Sequence, residues 1–149
     1  MRLESAIVIH RRADEVWKFL TEPANLPKWD HGVASVEFRD PTAPEGVGYE
    51  FTTVGHRGPD LGRMTYRVSE VDAEARDCRL ELTSRTGNAR FFQSAGWRMR
   101  VEEVPEGSRV LCSAEFRMRR RYWMLAPVLY WMKAMDRDLV GLKGVLEDG

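Results

Sequence analysis

The chain has 149 residues and carries 23 Lys+Arg against 23 Asp+Glu, a formal net charge of zero. That length suits one domain with a substantial core, and a composition 43% hydrophobic and 31% charged is ordinary for a globular protein. Balanced charge excludes a general nucleic-acid binder, which would show a basic excess, and an acidic disordered tail.

Residues 2–10 alternate, with Leu3, Ser5, Ile7 and Ile9 on one side, which predicts a strand. The period changes over residues 13–22, where Val16, Phe19 and Leu20 fall at helical spacing. Asp14 and Glu15 sit in the first turn of that helix, where carboxylates suit its dipole. Pro23 ends it, and residues 24–29 read as one further helical turn.

A series of strands follows. Residues 34–39 put Ala34, Val36 and Phe38 on one face, and residues 48–55 put Tyr49, Phe51 and Thr53 on one face. Residues 62–71 group Met64, Tyr66 and Val68 opposite Arg63, Thr65, Arg67 and Ser69. Residues 77–84 turn Cys78, Leu80 and Leu82 inward. Residues 88–104 put Phe91, Gln93, Ala95, Trp97, Met99 and Val101 on one parity, with Gly96 as a candidate bulge. Pro105-Glu106-Gly107 predicts a hairpin turn, and residues 108–118 turn Val110, Cys112, Ala114 and Phe116 inward.

The chain then becomes helical. Leu125, Val128, Leu129, Met132, Met135, Leu139, Leu142 and Leu146 form the apolar stripe of a long amphipathic helix over residues 122–147. Pro127 is tolerated only in a first turn, so the regular helix should begin near Ala126. Its polar face is Lys133, Arg137, Asp138 and Lys143. Some 22 helical residues span roughly 33 Å. Antiparallel strands with one apolar face need a cover, and only this helix is long enough.

The longest apolar stretch, residues 122–132, is too short for a bilayer span of about 20 residues. Met1-Arg2-Leu3-Glu4 lacks a secretory pattern, so a cytoplasmic protein is expected. Cys78 and Cys112 lie on strands separated by one other, about 9–10 Å apart at a strand spacing near 4.8 Å. A disulfide needs Cα atoms within about 7 Å, so none should form. No Gly-rich phosphate loop, nucleophile elbow, His-x-x-x-His or Cys-x-x-Cys occurs, and neither a cofactor nor a metal is expected.

Ile7-Val8-Ile9, then Asp14-Glu15-Val16-Trp17-Lys18-Phe19-Leu20, then Asn25-Leu26-Pro27-Lys28-Trp29 resembles the opening of the START-like (SRPBCC) superfamily, in its polyketide cyclase/dehydrase branch. Gly46-Val47-Gly48-Tyr49 and the ending Asp138-Leu139-Val140-Gly141-Leu142-Lys143 to Glu147 are similar as well. The resemblance implies an α+β helix-grip fold. A curved antiparallel sheet of about seven strands wraps a long C-terminal helix, with two short helices after the first strand. It implies a single ligand-binding domain over residues 1–149 with an apolar cavity between sheet and helix. Members include aromatase/cyclases, lipid carriers, hormone receptors and heat-shock ATPase activators, so fold alone leaves function open.

In such a meander alternate loops share an end. Asp30-His31, His56-Arg57 leading to Arg63, Asn88 with Arg90, and residues 119–123 should form one rim, with His10 away from it. A small hydrophobic ligand (a polyketide, a lipid or a related aromatic) is the expected partner. Its expected contacts are Trp29, Tyr49, Phe51, Thr53, Met64, Tyr66, Leu82, Phe91, Gln93, Trp97, Phe116, Trp123, Val128, Met132 and Met135. Each aromatic among them would serve equally as plain core.

An enzyme reading, a cyclase or dehydratase working by substrate positioning, would use Tyr66, His56 or Arg63 as hydrogen-bond donors. Adjacent residues rarely face one another, which weighs against an Asp30-His31 acid/base pair. A third reading is a non-catalytic module that touches a membrane or a carrier protein through Arg119, Arg120, Arg121 and Trp123. Either a monomer or a homodimer fits the sequence.

Overall fold

The computed structural model describes residues 2–38, 46–56, 58, 62–122 and 127–148, with backbone alone at 88, 122 and 127–134. Strand β1 (Arg2–Ile9) leads into helix α1 (Ala13–Leu20), a 3-10 turn (Pro23–Asn25) and helix α2 (Leu26–Trp29). Then come β2 (Ser35–Phe38), β3 (Glu50–Val54), β4 (Arg63–Asp72), β5 (Asp77–Leu82), β6 (Phe92–Val104) and β7 (Gly107–Met118). Helix α3 (Pro127–Asp148) closes the chain. Its first residue is the proline, where a missing N–H costs nothing.

The seven strands form one sheet in the order β1-β7-β6-β5-β4-β3-β2, antiparallel throughout. The curved sheet and long helix are the expected helix-grip arrangement. The two edges are the first two strands in sequence, joined by α1 and α2 crossing beneath the sheet. Val104 pairs with Gly107, so the predicted hairpin turn has Pro105 and Glu106 as its loop, with Gly107 already in the strand. Gly107 sits at φ 137°, and a Cβ there would stand 2.6 Å from the Ile9 carbonyl oxygen, so only glycine fits.

The periodicity failed in one strand. Gln93 was expected to face inward and Gly96 to mark a bulge. The irregularity falls between Phe92 and Ser94 instead, so Phe92 is buried and Gln93 is exposed. Residues 87–91 form a 3-10 turn rather than the start of the strand. An extra residue in a strand flips the parity of everything before it, and side-chain type does not report it.

Two apolar clusters hold the fold. At the end carrying the β6–β7 hairpin, Ile9, Val16, Leu20, Val101, Val110, Leu139 and Leu142 are buried together. Toward the opposite end, here called the loop end, Leu3, Leu82, Phe92, Ala95, Ala114 and Phe116 form the second cluster. The C-terminal part of α3 is tied to the hairpin end by charged groups. Lys143 Nζ donates to the Val8 carbonyl at 2.9 Å, and Arg11 Nε donates to the Leu146 carbonyl at 2.7 Å. Lys143 was expected on the solvent face. Its long stem lets the ammonium reach a β1 carbonyl instead.

Candidate functional site

The described parts of the four predicted rim segments share the loop end, Arg57 lying outside the described residues, and hydrogen bonds join these segments in pairs. His56 Nε2 lies 3.2 Å from the His31 carbonyl oxygen, linking the β3–β4 turn to the α2–β2 loop. The Arg119 N–H donates to the Phe91 carbonyl at 3.0 Å, linking the β7 end to the β5–β6 loop. His10 is at the other end, its Nδ1 3.2 Å from the Glu106 carbonyl oxygen.

The concave face beneath this rim is aromatic and sulfur-rich. Phe51 is buried, with its ring 5.6 Å from that of Tyr66. Tyr66 meets Trp97 edge to face at 5.0 Å. Leu82 is buried beside Tyr66 in the sheet, and Phe116 is buried edge to face with Phe92 at 6.0 Å. Met64, Phe91 and Met135 are half-buried against this cluster. Tyr49 is half-buried at the sheet margin, 6.5 Å from the Phe38 ring. Trp123 and the side chains of Val128 and Met132 lie outside the described residues.

Polar tips enter this apolar surface at few points. Thr53 is buried and its hydroxyl donates to the Met64 carbonyl at 3.4 Å. The Tyr66 hydroxyl donates to Met64 Sδ at 3.7 Å, a weak acceptor. Burial, then the charge of Asp30, holds the Tyr66 phenol above its ordinary range, against a Thr53 hydrogen bond that favours ionisation. Tyr66 is therefore a proton donor at every physiological pH. Buried Trp29 adds an indole N–H without an acceptor among the described residues. An orphan donor costs about 1–3 kcal/mol.

The carboxyl pair Asp30 and Asp138 is the electrostatic centre. Asp30 ends α2 and Asp138 lies midway along α3, and their side chains share a hydrogen bond. Burial, then the neighbouring Asp138 carboxylate, pushes the Asp30 carboxyl from 3.8 up to about 6. The Gly32 N–H at 2.9 Å and nearby His31 oppose the rise. Asp138 Oδ1 accepts from the His31 backbone N–H at 3.0 Å and lies 3.1 Å from His31 Nδ1. Donors converging on Asp138 place the shared proton on Asp30.

The sequence weighs against an Asp30-His31 pair, since adjacent residues rarely face one another, and names no other partner for His31. The fold pairs it with Asp138, because Asp138 falls beside the apolar stripe of α3. Asp138 was expected on the polar face, yet it falls at helical spacing with Met135 and Leu142 and beside Leu139, and that pattern was the available signal of its burial. Gly141, three residues after Asp138, lets the backbones close up. A Cβ there would stand 3.0 Å from the Trp29 carbonyl oxygen and 3.1 Å from His31 Cε1. An open groove of about 480 Å³ between α2 and α3, lined by Trp29, Asp30, His31, Gly141, Gly144 and Val145, reaches Asp30 from outside.

Two catalytic candidates lie farther out. His56 is exposed, and Arg63 is exposed with Nη2 2.8 Å from Glu37 Oε1. Cys78 and Cys112 are free thiols in one row across β5, β6 and β7, with Met99 between them. Burial pushes both up to about 12, and Cys112 also feels Asp138. Neither is a nucleophile at neutral pH. Among the described residues no group of three or more His, Cys, Asp or Glu is placed to hold a metal, and no helix is long and apolar enough to cross a membrane.

The comparison with known families matches residues 1–147 to the family described as polyketide cyclase / dehydrase and lipid transport. The chain belongs to that family. This agrees with the likeness seen in the first helices and the last. No curated protein matches the chain. Solved structures share the fold at low identity. Ara h 8.0201 superposes with TM-score 0.78 at 13% identity, covering 100% of this chain and 99% of that one. Norcoclaurine synthase from Thalictrum flavum, in complex with dopamine and hydroxybenzaldehyde, gives 0.73 at 15% identity over 99% of this chain and 87% of that one. The di-domain ARO/CYC BexL from the BE-7585A biosynthetic pathway gives 0.75 at 20% identity, covering 99% of this chain and 46% of that one.

Proposed function

We propose that the protein binds a small apolar molecule bearing a hydrogen-bond-accepting oxygen, between the concave face and α3. The observation that carries this is the aromatic cluster of Phe51, Tyr66, Trp97 and Phe116 with Thr53, Tyr66 and Asp30 as its polar tips. An apolar wall supplies affinity, and a few donors orient the ligand. The family's description, covering polyketides and lipids, supports the ligand class. We place the protein in the cytoplasm, where free thiols such as Cys78 and Cys112 persist. Native mass spectrometry and thermal-shift screening against polyketides, fatty acids and sterols test the reading. A bound ligand whose affinity falls in Tyr66→Phe is expected. No stabilisation by any of these classes would overturn it.

One observation favours turnover as well. A buried carboxyl titrating about pH 6 beside a permanently protonated tyrosine can exchange a proton with an enolisable ketone while Tyr66 holds its oxygen. BexL, an ARO/CYC, and norcoclaurine synthase have the same fold. In this reading Asp30 and Tyr66 carry the chemistry ahead of His56 and Arg63. Asp30→Asn and Tyr66→Phe should each change the product distribution from a poly-β-ketone. Unchanged products in both variants would leave binding alone.

A further inference from the structure

The polar tips of the ligand site carry charge of one sign. Two carboxyl groups share a hydrogen bond only while one of them keeps a proton, and Asp30 and Asp138 share one. The proton belongs to Asp30, because Asp138 Oδ1 already accepts from the His31 N–H at 3.0 Å. At least one carboxylate is therefore held in the pair at neutral pH, and a second appears as Asp30 ionises about pH 6. Both are felt between α3 and the sheet. The charge of Asp30 reaches Tyr66 on β4, and that of Asp138 reaches Cys112 on β7.

The groups packed round the pair leave that charge standing. On α2, Lys28 Nζ donates to Asn25 Oδ1 at 3.1 Å. In the loop after α2, the half-exposed His31 ring lies 3.1 Å from Asp138 Oδ1 and offsets it only while protonated. From the β3–β4 turn, His56 Nε2 is taken up by the His31 carbonyl oxygen. Asp148, at the end of α3, adds a further acidic group to the groove that reaches Asp30. The sheet contributes the Tyr66 phenol and the Cys112 thiol, both kept neutral by burial.

A ligand oxygen held by the Tyr66 hydroxyl sits in this negative field. A ketone or alcohol oxygen tolerates the field, because it is neutral and only accepts a hydrogen bond. A ligand carboxylate meets like charges with little water to screen them. We propose that Asp30 and Asp138 set the charge class of the ligand, so that the site admits neutral oxygen-bearing molecules, ketones and alcohols, and rejects carboxylates, free fatty acids among them. Rejection of carboxylates presupposes the ligand reading above, which it narrows.

Calorimetry with probes matched in shape tests it, 2-acetylnaphthalene against 2-naphthoate and dodecanol against dodecanoate. The native chain should bind the neutral member of each pair more tightly. Asp30→Asn removes one charge and Asp30→Asn/Asp138→Asn removes both, with almost no change of shape. A like charge about 12 Å away costs about tenfold in affinity at an effective dielectric of about 20. At about pH 8 the preference for the neutral probe should therefore be about a hundredfold greater in the native chain than in the double variant, and about tenfold greater than in Asp30→Asn. The double variant supplies the cost of dehydrating a carboxylate in any apolar site, and circular dichroism checks that it is folded. If it does not fold, Asp30→Asn against the native chain carries the test. In the native chain the preference should also shrink by about tenfold from about pH 8 to about pH 5, as Asp30 regains its proton. An equal preference in native chain and variants would overturn the proposal and leave the ligand reading intact, as would tighter binding of the carboxylates. Binding of neither the ketone nor the alcohol would overturn it too, and the wider screen of polyketides, fatty acids and sterols then decides the ligand reading separately.

Discussion

At the hairpin end, Ile9, Val16, Val110 and Leu142 are fully closed to solvent. At the loop end, Met64, Tyr66, Phe91, Trp97 and Met135 remain half-buried around a smaller closed cluster. The first end is finished by Arg11 and Lys143, which pin the last turns of α3 to β1. The second holds the Tyr66 hydroxyl on a poor acceptor and the Asp30–Asp138 pair. One helix thus serves two purposes. Its C-terminal part is built for stability, while its middle accepts unfavourable polar burial of the kind that binding sites retain.

Leu142→Ala should separate the two ends most sharply. It leaves a cavity at a fully buried position and should cost about 3 kcal/mol in chemical denaturation. Met135→Ala, half-buried at the loop end, should cost less than half as much. Equal losses would mean that both ends are ordinary core.

Asp30→Asn should act in the opposite direction. The folded carboxyl titrates about 6 against an ordinary 3.8, so the native state binds its proton more tightly than the unfolded chain. That contribution to stability is fully present below about pH 4 and is lost as pH rises through about 6. The variant should gain on the order of 2 kcal/mol over the native chain at pH 7–8 and nothing below about pH 4. A pH series of denaturation midpoints reads this directly, and a destabilised variant at pH 8 would refute the account of the pair.

Smaller effects test the site itself. Tyr66→Phe should change stability by under about 1 kcal/mol, since its hydroxyl rests on a thioether. The same change should weaken an oxygen-bearing ligand by about tenfold, measured by calorimetry. Arg63→Ser breaks a half-exposed pair with Glu37, and that loss should move stability by no more than about 0.5 kcal/mol. A large loss of ligand affinity in Arg63→Ser would return that residue to the site.

Most of the element order was legible because its signals are local. Alternation marks β1, β4 and β7, and Pro127 marks the start of α3 within one residue. Loop parity correctly grouped the rim segments, and strand spacing correctly kept Cys78 and Cys112 apart. Gln93 was misplaced because a bulge is a backbone event without a side-chain signature. Adjacency weighed against Asp30 as the partner of His31, but nothing local named the true one, Asp138, which lies 107 residues away on α3. The charge total of zero likewise hid the buried carboxyl pair, because a sum over the chain carries no positions.

The sequence by itself determined the strand series, the long amphipathic helix and the family, through periodicities of two and of 3.6 residues that any segment carries alone. Only the tertiary structure decided that Asp30 would be buried against Asp138 and that Tyr66 would meet Trp97. Those outcomes depend on which distant residues the sheet register and the helix crossing bring within a few ångströms. Desolvation and Coulomb energy act only once that distance is set.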